Sequence, residues 1–207
     1  MTPEPGAVEA VVAHLTTMRG PERPTRPDRL TVDEGRPGVA PSGWRSSTGG
    51  NDGWGAEPST IAFQRTRVLP TCQMHSVTYD FRRGSPMEGT TMEVVIRTWE
   101  QLDGSWGVAS VGGGSGPGPA RSKPWVNFTA GSGPGGFSAG GRVEGTGSDR
   151  AHTVSLVFAD GFVMEDVVDR GIVLFFEPAG VVFPAALEIT DSAGSTLAAY
   201  TAFDEFL

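Results

Sequence analysis

The sequence predicts a mainly β protein: an antiparallel β-sandwich with one N-terminal amphipathic helix and long loops rich in glycine and proline. Two observations carry this prediction. Residues 59–111 and 148–207 alternate apolar and polar side chains with a period of two, which is typical of strands. The 30 glycines and 16 prolines concentrate instead in residues 1–58 and 112–147, where they disfavour regular structure.

The first predicted element is a helix over about residues 5–18. Its apolar residues recur at i, i+3, i+4 and i+7 and so share one face: Val8, Val11, Val12 and Leu15. The Gly20-Pro21 pair that follows is typical of a helix end. Because so short a helix is marginal in water, we expect this face to dock, either on the chain's own β core or on a partner protein.

Residues 19–58 show no sustained period and alternate Arg, Pro, Gly and acidic residues, so they are predicted to be an extended linker. Residues 1–58 would then form an N-terminal segment of helix and linker. The two β-rich stretches beyond it have about 50 residues each, too few to bury a core alone. We therefore expect residues 59–207 to form a single β-sandwich domain.

The first β-rich stretch contains the strand-like runs TIAFQRTRVL, MHSVTYDF, TTMEVVIRTWEQ and LDGSWGVASV. Asp103-Gly104 separates the last two and is a favoured pair for a two-residue hairpin turn. With these two residues at the centre of the turn, Trp99 lies opposite Val108.

The C-terminal stretch repeats this pattern, and Asp160-Gly161 at the next turn would pair Phe158 with Val163. IVLFFE is a continuous apolar run, which predicts a buried central strand, and two more strands flank residues 191–194. Short strands with Gly and Asp turns resemble an immunoglobulin-like or jelly-roll-like sandwich. The Cys…Trp…Cys spacing of antibody domains is missing, and a resemblance of this kind implies no activity.

Residues 125–141, WVNFTAGSGPGGFSAGG, contain the G-x-G-x-x-G spacing of dinucleotide-binding loops. That motif functions only between a strand and a helix, and the residues after Gly136 have no helical period. Pro134 also removes one of the N–H groups that a phosphate cradle would use. We interpret residues 112–147 as a long Gly-rich loop that crosses between the two groups of strands.

The net charge of −8 argues against nucleic acid as a partner, because binding to phosphates requires clustered Lys and Arg. No run of about 18 apolar residues predicts a membrane span, and the N-terminus lacks the basic region of a signal peptide. Cys72 is the single cysteine, which excludes an internal disulfide. These features predict a cytoplasmic protein, and the Arg-rich, Lys-poor composition is typical of a GC-rich bacterial genome.

No spacing of catalytic or metal-binding residues is present, and we predict no cofactor. His14, His75 and His152 lie far apart, and Cys72 is expected to be a small buried apolar residue. Five acidic residues crowd the C-terminal turns and would bind calcium only if those turns converged: Asp160, Glu165, Asp166, Asp169 and Asp191. Aspartate is also an ordinary turn residue, which is the simpler interpretation.

Three tryptophans outside the predicted strands are the candidate ligand- or partner-binding residues: Trp44, Trp54 and Trp125. An exposed indole usually finds either a ligand or a packing site, so these residues could equally attach loops to the core. The leading hypothesis is a non-catalytic, acidic module that binds a protein or a small molecule. One alternative is a small hydrolase or isomerase that uses His75, His152 and Asp160 under the 112–147 loop. Another is a structural subunit that docks through its helix.

Overall fold

The computed structural model describes residues 2–17, 55–85, 87–133, 136–178 and 183–201. Over these residues the chain is mainly β, with antiparallel strands and a single α-helix, as predicted. The elements in chain order are α1 (Pro5–Thr17), β1 (Ala62–Val68), β2 (Gln73–Asp80), β3 (Thr91–Glu100), β4 (Trp106–Gly114), β5 (Trp125–Gly133), β6 (Gly136–Glu144), β7 (Thr153–Val157), β8 (Val163–Val167), β9 (Ile172–Glu177), β10 (Ala186–Thr190) and β11 (Thr196–Tyr200). Most of the predicted linker lies outside the described residues.

The described strands form three open sheets, none of which closes into a barrel. The first sheet has the order β1-β2-β3-β4, the second β5-β6-β9 and the third β11-β10-β7-β8. The immunoglobulin-like or jelly-roll-like sandwich stays a prediction.

Strand β9, the predicted central strand, is buried but lies at the edge of the second sheet. Its apolar run is continuous because its two faces contact different clusters. Phe175 packs with third-sheet residues such as Leu156, and Leu174 packs with Met74 of the first sheet. The prediction of burial was correct and the prediction of a central position was wrong, because burial can come from packing on both faces without two hydrogen-bonded neighbours.

The helix docks on the chain's own first sheet. Ala7, Val11 and Leu15 are fully buried, and the last two share a cluster with side chains of β2 and β3. Val8 and Val12 of the predicted face are only half-buried. The fully buried residues of the helix, Ala7, Val11 and Leu15, are instead four positions apart. The backbone N–H of Ala56 donates to the carbonyl of Leu15 at 2.9 Å and covers the end of the helix. Of the two docking modes expected, the internal one is the one observed.

Residues 125–144 correct the sequence interpretation, because they form the β5–β6 hairpin and not a loop. Glycine is needed there for close packing. A Cβ at Gly140 would lie 2.8 Å from the carbonyl oxygen of Val173, and one at Gly141 would overlap the carbonyl oxygen of Asn127. Of the G-x-G-x-x-G residues, Gly131 and Gly133 belong to the end of β5 and Gly136 begins β6, while residues 134 and 135 lie outside the described residues. Only residues 115–124 remain as a non-strand connection between β4 and β5.

The β3–β4 hairpin is displaced by one residue from the predicted register. Trp99 faces Gly107, and not Val108, because the loop contains three residues instead of two. Gly104 at its third position has a φ of 79°, the left-handed conformation that this three-residue loop requires.

The β7–β8 hairpin shows the same displacement. Val157, and not Phe158, pairs with Val163, and the N–H of Phe158 donates to the carbonyl of Phe162 across the loop. Gly161 has a φ of 87° at the corresponding position. The Asp-Gly pair was correctly assigned to each turn, but it occupies the second and third loop positions.

A buried ion pair joins the first sheet to the second and third sheets. The Arg65 guanidinium donates to both oxygens of Asp166, at 2.5 and 2.9 Å, and to the carbonyl of Ile172 at 2.6 Å. Asp166 also accepts from the backbone N–H of Leu174 at 2.8 Å. These side chains therefore satisfy backbone groups of β9 along an edge where no other described strand pairs with it.

Candidate functional site

A cleft of about 450 Å³ opens between the first sheet and the β5–β6 hairpin, and we call it the Glu93–Arg142 cleft. Of the 15 residues that line it, seven have polar or charged side chains and five are glycines. The residues that line it are Thr78, Thr91, Glu93, Val95, Gly113, Gly114, Gly116, Pro117, Asn127, Phe128, Thr129, Gly140, Gly141, Arg142 and Glu144. Its volume lies within the range of about 300–1,000 Å³ that is usual for small-molecule sites.

An ion pair bridges the cleft. The Nε of Arg142 on β6 donates to Oε2 of Glu93 on β3 at 2.6 Å, and Ser76 Oγ on β2 donates to Oε1 of Glu93 at 2.8 Å. Both oxygens of Glu93 are thus held by the protein. Arg142 lines the cleft, and within the described residues no hydrogen bond involves its two terminal nitrogens, whose N–H groups can therefore donate to a ligand.

The wall opposite β3 is provided by β5 and the end of β6. Val126 belongs to the cluster with the third sheet, so Asn127 beside it faces the first sheet and the cleft. No hydrogen bond in the described part of the chain involves the side chain of Asn127 or the hydroxyl of Thr129. Glu144 uses Oε2 to accept from the backbone N–H of Gly118 at 2.9 Å, which leaves its other oxygen for a ligand.

Glycines keep the cleft open by leaving out side chains. A Cβ at Gly112 of β4 would overlap Thr129 Oγ1, so the two strands can approach only without it. Gly114 differs, because a Cβ there would meet no atom within 4 Å. It pairs with Glu93, and cross-strand partners share a face, so a side chain at position 114 would enter the cleft.

Charge in the cleft is unbalanced by one unit, with two carboxylates, Glu93 and Glu144, against the guanidinium of Arg142. The chain as a whole carries −8. Both the local and the overall charge therefore oppose the approach of an anion.

A second cleft, of about 420 Å³, lies beside the β1–β2 turn, between Glu4, Glu100 and Trp106. Cys72 lines it and is mostly buried. Burial raises the pKa of the Cys72 thiol to about 11, so it is protonated at neutral pH. A protonated thiol is a poor nucleophile, and the residue behaves as the small apolar side chain that was predicted.

The candidate residues of the hydrolase hypothesis do not converge. His75 is fully buried under the helix, whereas His152 and Asp160 are exposed near opposite ends of strand β7. Neither of the two clefts is lined by a histidine. The acidic residues at the C-terminal turns do not form a metal site within the described ranges, and Asp166 is held by Arg65 instead.

His75 is held neutral by the structure. Its Nδ1 lies 3.0 Å from Thr66 Oγ1 and its Nε2 lies 2.9 Å from Thr98 Oγ1, so both ring nitrogens have hydroxyl partners. Phe63 packs edge-on against the ring. Burial lowers the pKa of His75 from its ordinary value of 6.5 to about 4.

We expect the free energy of unfolding to fall by about 3 kcal/mol as the pH drops from 6.5 to 4 on account of His75. In this window the unfolded chain binds a proton at His75 that the folded chain does not bind. Above pH 6.5 the stabilisation is complete, and below pH 4 both states are protonated. Urea unfolding across this range checks the slope, with His75→Gln as the reference for all other groups. Equal slopes for both proteins would contradict the assignment.

The predicted tryptophan sites are only partly described. Trp44 and Trp54 lie outside the described residues. Trp125 begins β5 and is 3% exposed, with the Arg121 guanidinium 4.1 Å from its ring centroid. Gly118 approaches the same ring closely, so Trp125 packs the 115–124 connection against the hairpin. Its ring is too buried for us to include it in a binding surface.

Sequence reasoning missed Glu93, Arg142 and Asn127. They lie on three strands of two sheets, and only the packing of those sheets brings them together. In TTMEVVIRTWEQ, Glu93 shares its strand face with Thr91, Val95 and Arg97, so its position in the local sequence gives no distinct signal.

Within the described residues no helix has the length and apolar character needed to cross a membrane. No protein family, curated protein or solved structure matches this chain.

Proposed function

We propose that this chain is a non-catalytic binding module, built on a β-sandwich, that takes a small-molecule ligand in the Glu93–Arg142 cleft. The observation that carries the proposal is the set of unused hydrogen-bonding groups that converge there. Arg142, Asn127 and Glu144 all line one concave space, and in the described part of the chain no hydrogen bond involves the terminal nitrogens of Arg142, the amide of Asn127 or Oε1 of Glu144. Of the protein and small-molecule ligands that the sequence left open, a concave polar site favours the small molecule.

The same geometry argues for binding without catalysis. No histidine is among the residues that line the cleft, and Ser76, whose hydroxyl donates to Glu93, is buried and does not line it. Both oxygens of Glu93 accept hydrogen bonds, one from Arg142 and one from Ser76, so the carboxylate is held in a fixed position in the cleft wall. The cytoplasm remains our proposed location, on the sequence argument alone.

Gly114→Phe tests the site. The new ring would enter the cleft beside Glu93 without meeting the backbone, so we expect it to weaken ligand binding by at least about tenfold. Gly114→Ala is the matched control, since a methyl group leaves most of the cleft open. Saturation-transfer NMR against a library of neutral, anionic, cationic and aromatic molecules identifies the ligands for all three proteins.

The proposal fails if no class of molecule in the library binds the wild-type chain. It also fails if every bound molecule binds Gly114→Phe as well as it binds Gly114→Ala. Circular dichroism and melting temperature establish that both variants are folded, so that lost binding is not lost structure.

A further inference from the structure

We infer that the ligand of the Glu93–Arg142 cleft is a neutral, polyhydroxylated molecule of the saccharide class. This inference rests on the proposed function and adds the chemistry of the ligand. Three properties of the cleft lead to it: the sign of its charge, the mixture of its free donors and acceptors, and the presence of only one aromatic ring, that of the partly buried Phe128, among the described residues that line it.

Charge disfavours an anion. A phosphate or carboxylate would have to enter beside Glu93 and Glu144, against a chain of net charge −8. The single guanidinium is already engaged with Glu93 through its Nε, at 2.6 Å. Arg142 can therefore donate hydrogen bonds from its remaining nitrogens, but its charge is largely compensated.

A cation is disfavoured as well. The guanidinium of Arg142, which lines the cleft, would repel an ammonium group, while both oxygens of Glu93 are already accepting hydrogen bonds. Organic cations are commonly bound over aromatic rings. Phe128 is the one aromatic residue among those that line the cleft, and its ring packs against Phe175 in the core, with centroids 6.3 Å apart.

With anions and cations disfavoured, the hydroxyl groups of a neutral ligand match the donors and acceptors that the cleft offers. Each can accept from Arg142 or the Asn127 amide and at the same time donate to the free oxygen of Glu144 or to the Asn127 carbonyl. The planar fork of an arginine pairs well with two adjacent oxygens, such as neighbouring ring hydroxyls. The carbon faces of a sugar ring can pack against Val95 and the backbone of Gly113 and Gly140, which all line the cleft.

Arg142→Lys and Asn127→Ala test the inference by calorimetric titration with neutral mono- and disaccharides. The lysine keeps the charge but loses the fork, and we expect it to weaken saccharide binding by at least about tenfold. Asn127→Ala removes a side chain that makes no hydrogen bond in the described part of the chain, so it should reduce binding without unfolding the protein. Arg150→Lys, at an exposed ion pair with Asp191 away from the cleft, is the control and should bind as the wild type does.

Uronic acids and amino sugars with the same ring as the neutral sugar test whether charge on the ligand, of either sign, weakens binding. We expect both to bind more weakly than the neutral sugar of the same ring. Tighter binding of either charged sugar overturns the inference, and so does saccharide binding that neither substitution changes. If no carbohydrate binds while other library molecules occupy the cleft, the saccharide inference is wrong and the binding function stands. If nothing at all binds, the proposed function itself fails.

Discussion

Replacing Asp166 with asparagine is expected to lower the free energy of unfolding by about 3–5 kcal/mol. Asp166 and Arg65 have side chains that are 5% and 8% exposed, so the substitution leaves a buried guanidinium that faces a neutral amide. Arg67, whose Nη1 lies 3.2 Å from the same carboxylate, loses its counter-charge too. The asparagine oxygen can still accept from the N–H of Leu174, so the loss comes from the missing charge and not from a broken strand edge; Asp169, 3.8 Å from Nε of Arg65, compensates only part of it.

Urea unfolding at neutral pH measures this loss, and Asp149→Asn, at an exposed position, provides the control. The double variant Arg65→Met with Asp166→Asn removes both charges of the closest pair. We expect it to be more stable than Asp166→Asn alone, which would show that the two residues are energetically coupled. A loss below about 1 kcal/mol in the single variant would mean that this ion pair does not hold the sheets together.

Replacing Leu15 with aspartate is expected to lower the free energy of unfolding by at least about 3 kcal/mol. Leu15 is fully buried in the cluster that includes Val77 of β2 and Ile96 of β3, so the substitution removes an apolar side chain and places a carboxylate in its position. The carboxylate can escape burial only if the helix leaves the sheet, and the sheet would then expose its apolar face to water. Either way the loss appears in the thermal unfolding transition.

Ala13→Asp is the matched control, because it introduces the same charge on the exposed side of the same helix. We expect it to change stability by less than about 1 kcal/mol, mainly through helix propensity. Light scattering on both variants reports the oligomeric state. An unchanged melting temperature for Leu15→Asp, together with a loss of assembly, would indicate that the helix docks on a partner and not on its own sheet.

Many of the strands could be predicted from the sequence because apolar and polar side chains alternate along them, as in Ala186–Thr190, whose Leu187 and Ile189 are buried. The predicted pairing of the flanking strands was wrong by one residue at both Asp-Gly turns, and the reason is local. A two-residue and a three-residue loop can use the same Asp-Gly pair, and only the left-handed φ of Gly104 and Gly161 distinguishes the structure that forms. The difference of one residue then changes the face on which every partner lies.

The β5–β6 hairpin could not be predicted from composition, because glycine is unfavourable in strands unless something close requires it. The requirement is tertiary: Gly140 and Gly141 lie against the backbone of β9 and β5. The same limit applies to the candidate site. Glu93 and Arg142 are 49 positions apart in the chain, and nothing in either local sequence indicates that they pair.

Chemical-shift mapping of a bound ligand tests the central claim, that the Glu93–Arg142 cleft is the binding site, most directly. Glycine amides serve as reporters, because Gly113, Gly114, Gly140 and Gly141 line the cleft, whereas Gly104, Gly161 and Gly194 lie in hairpin turns outside it. During titration with a neutral saccharide, we predict that amide signals of the first group shift in a saturable manner and that signals of the second group do not. Saturable shifts confined to the turn glycines, or to residues of the third sheet, would place the ligand elsewhere and contradict the account.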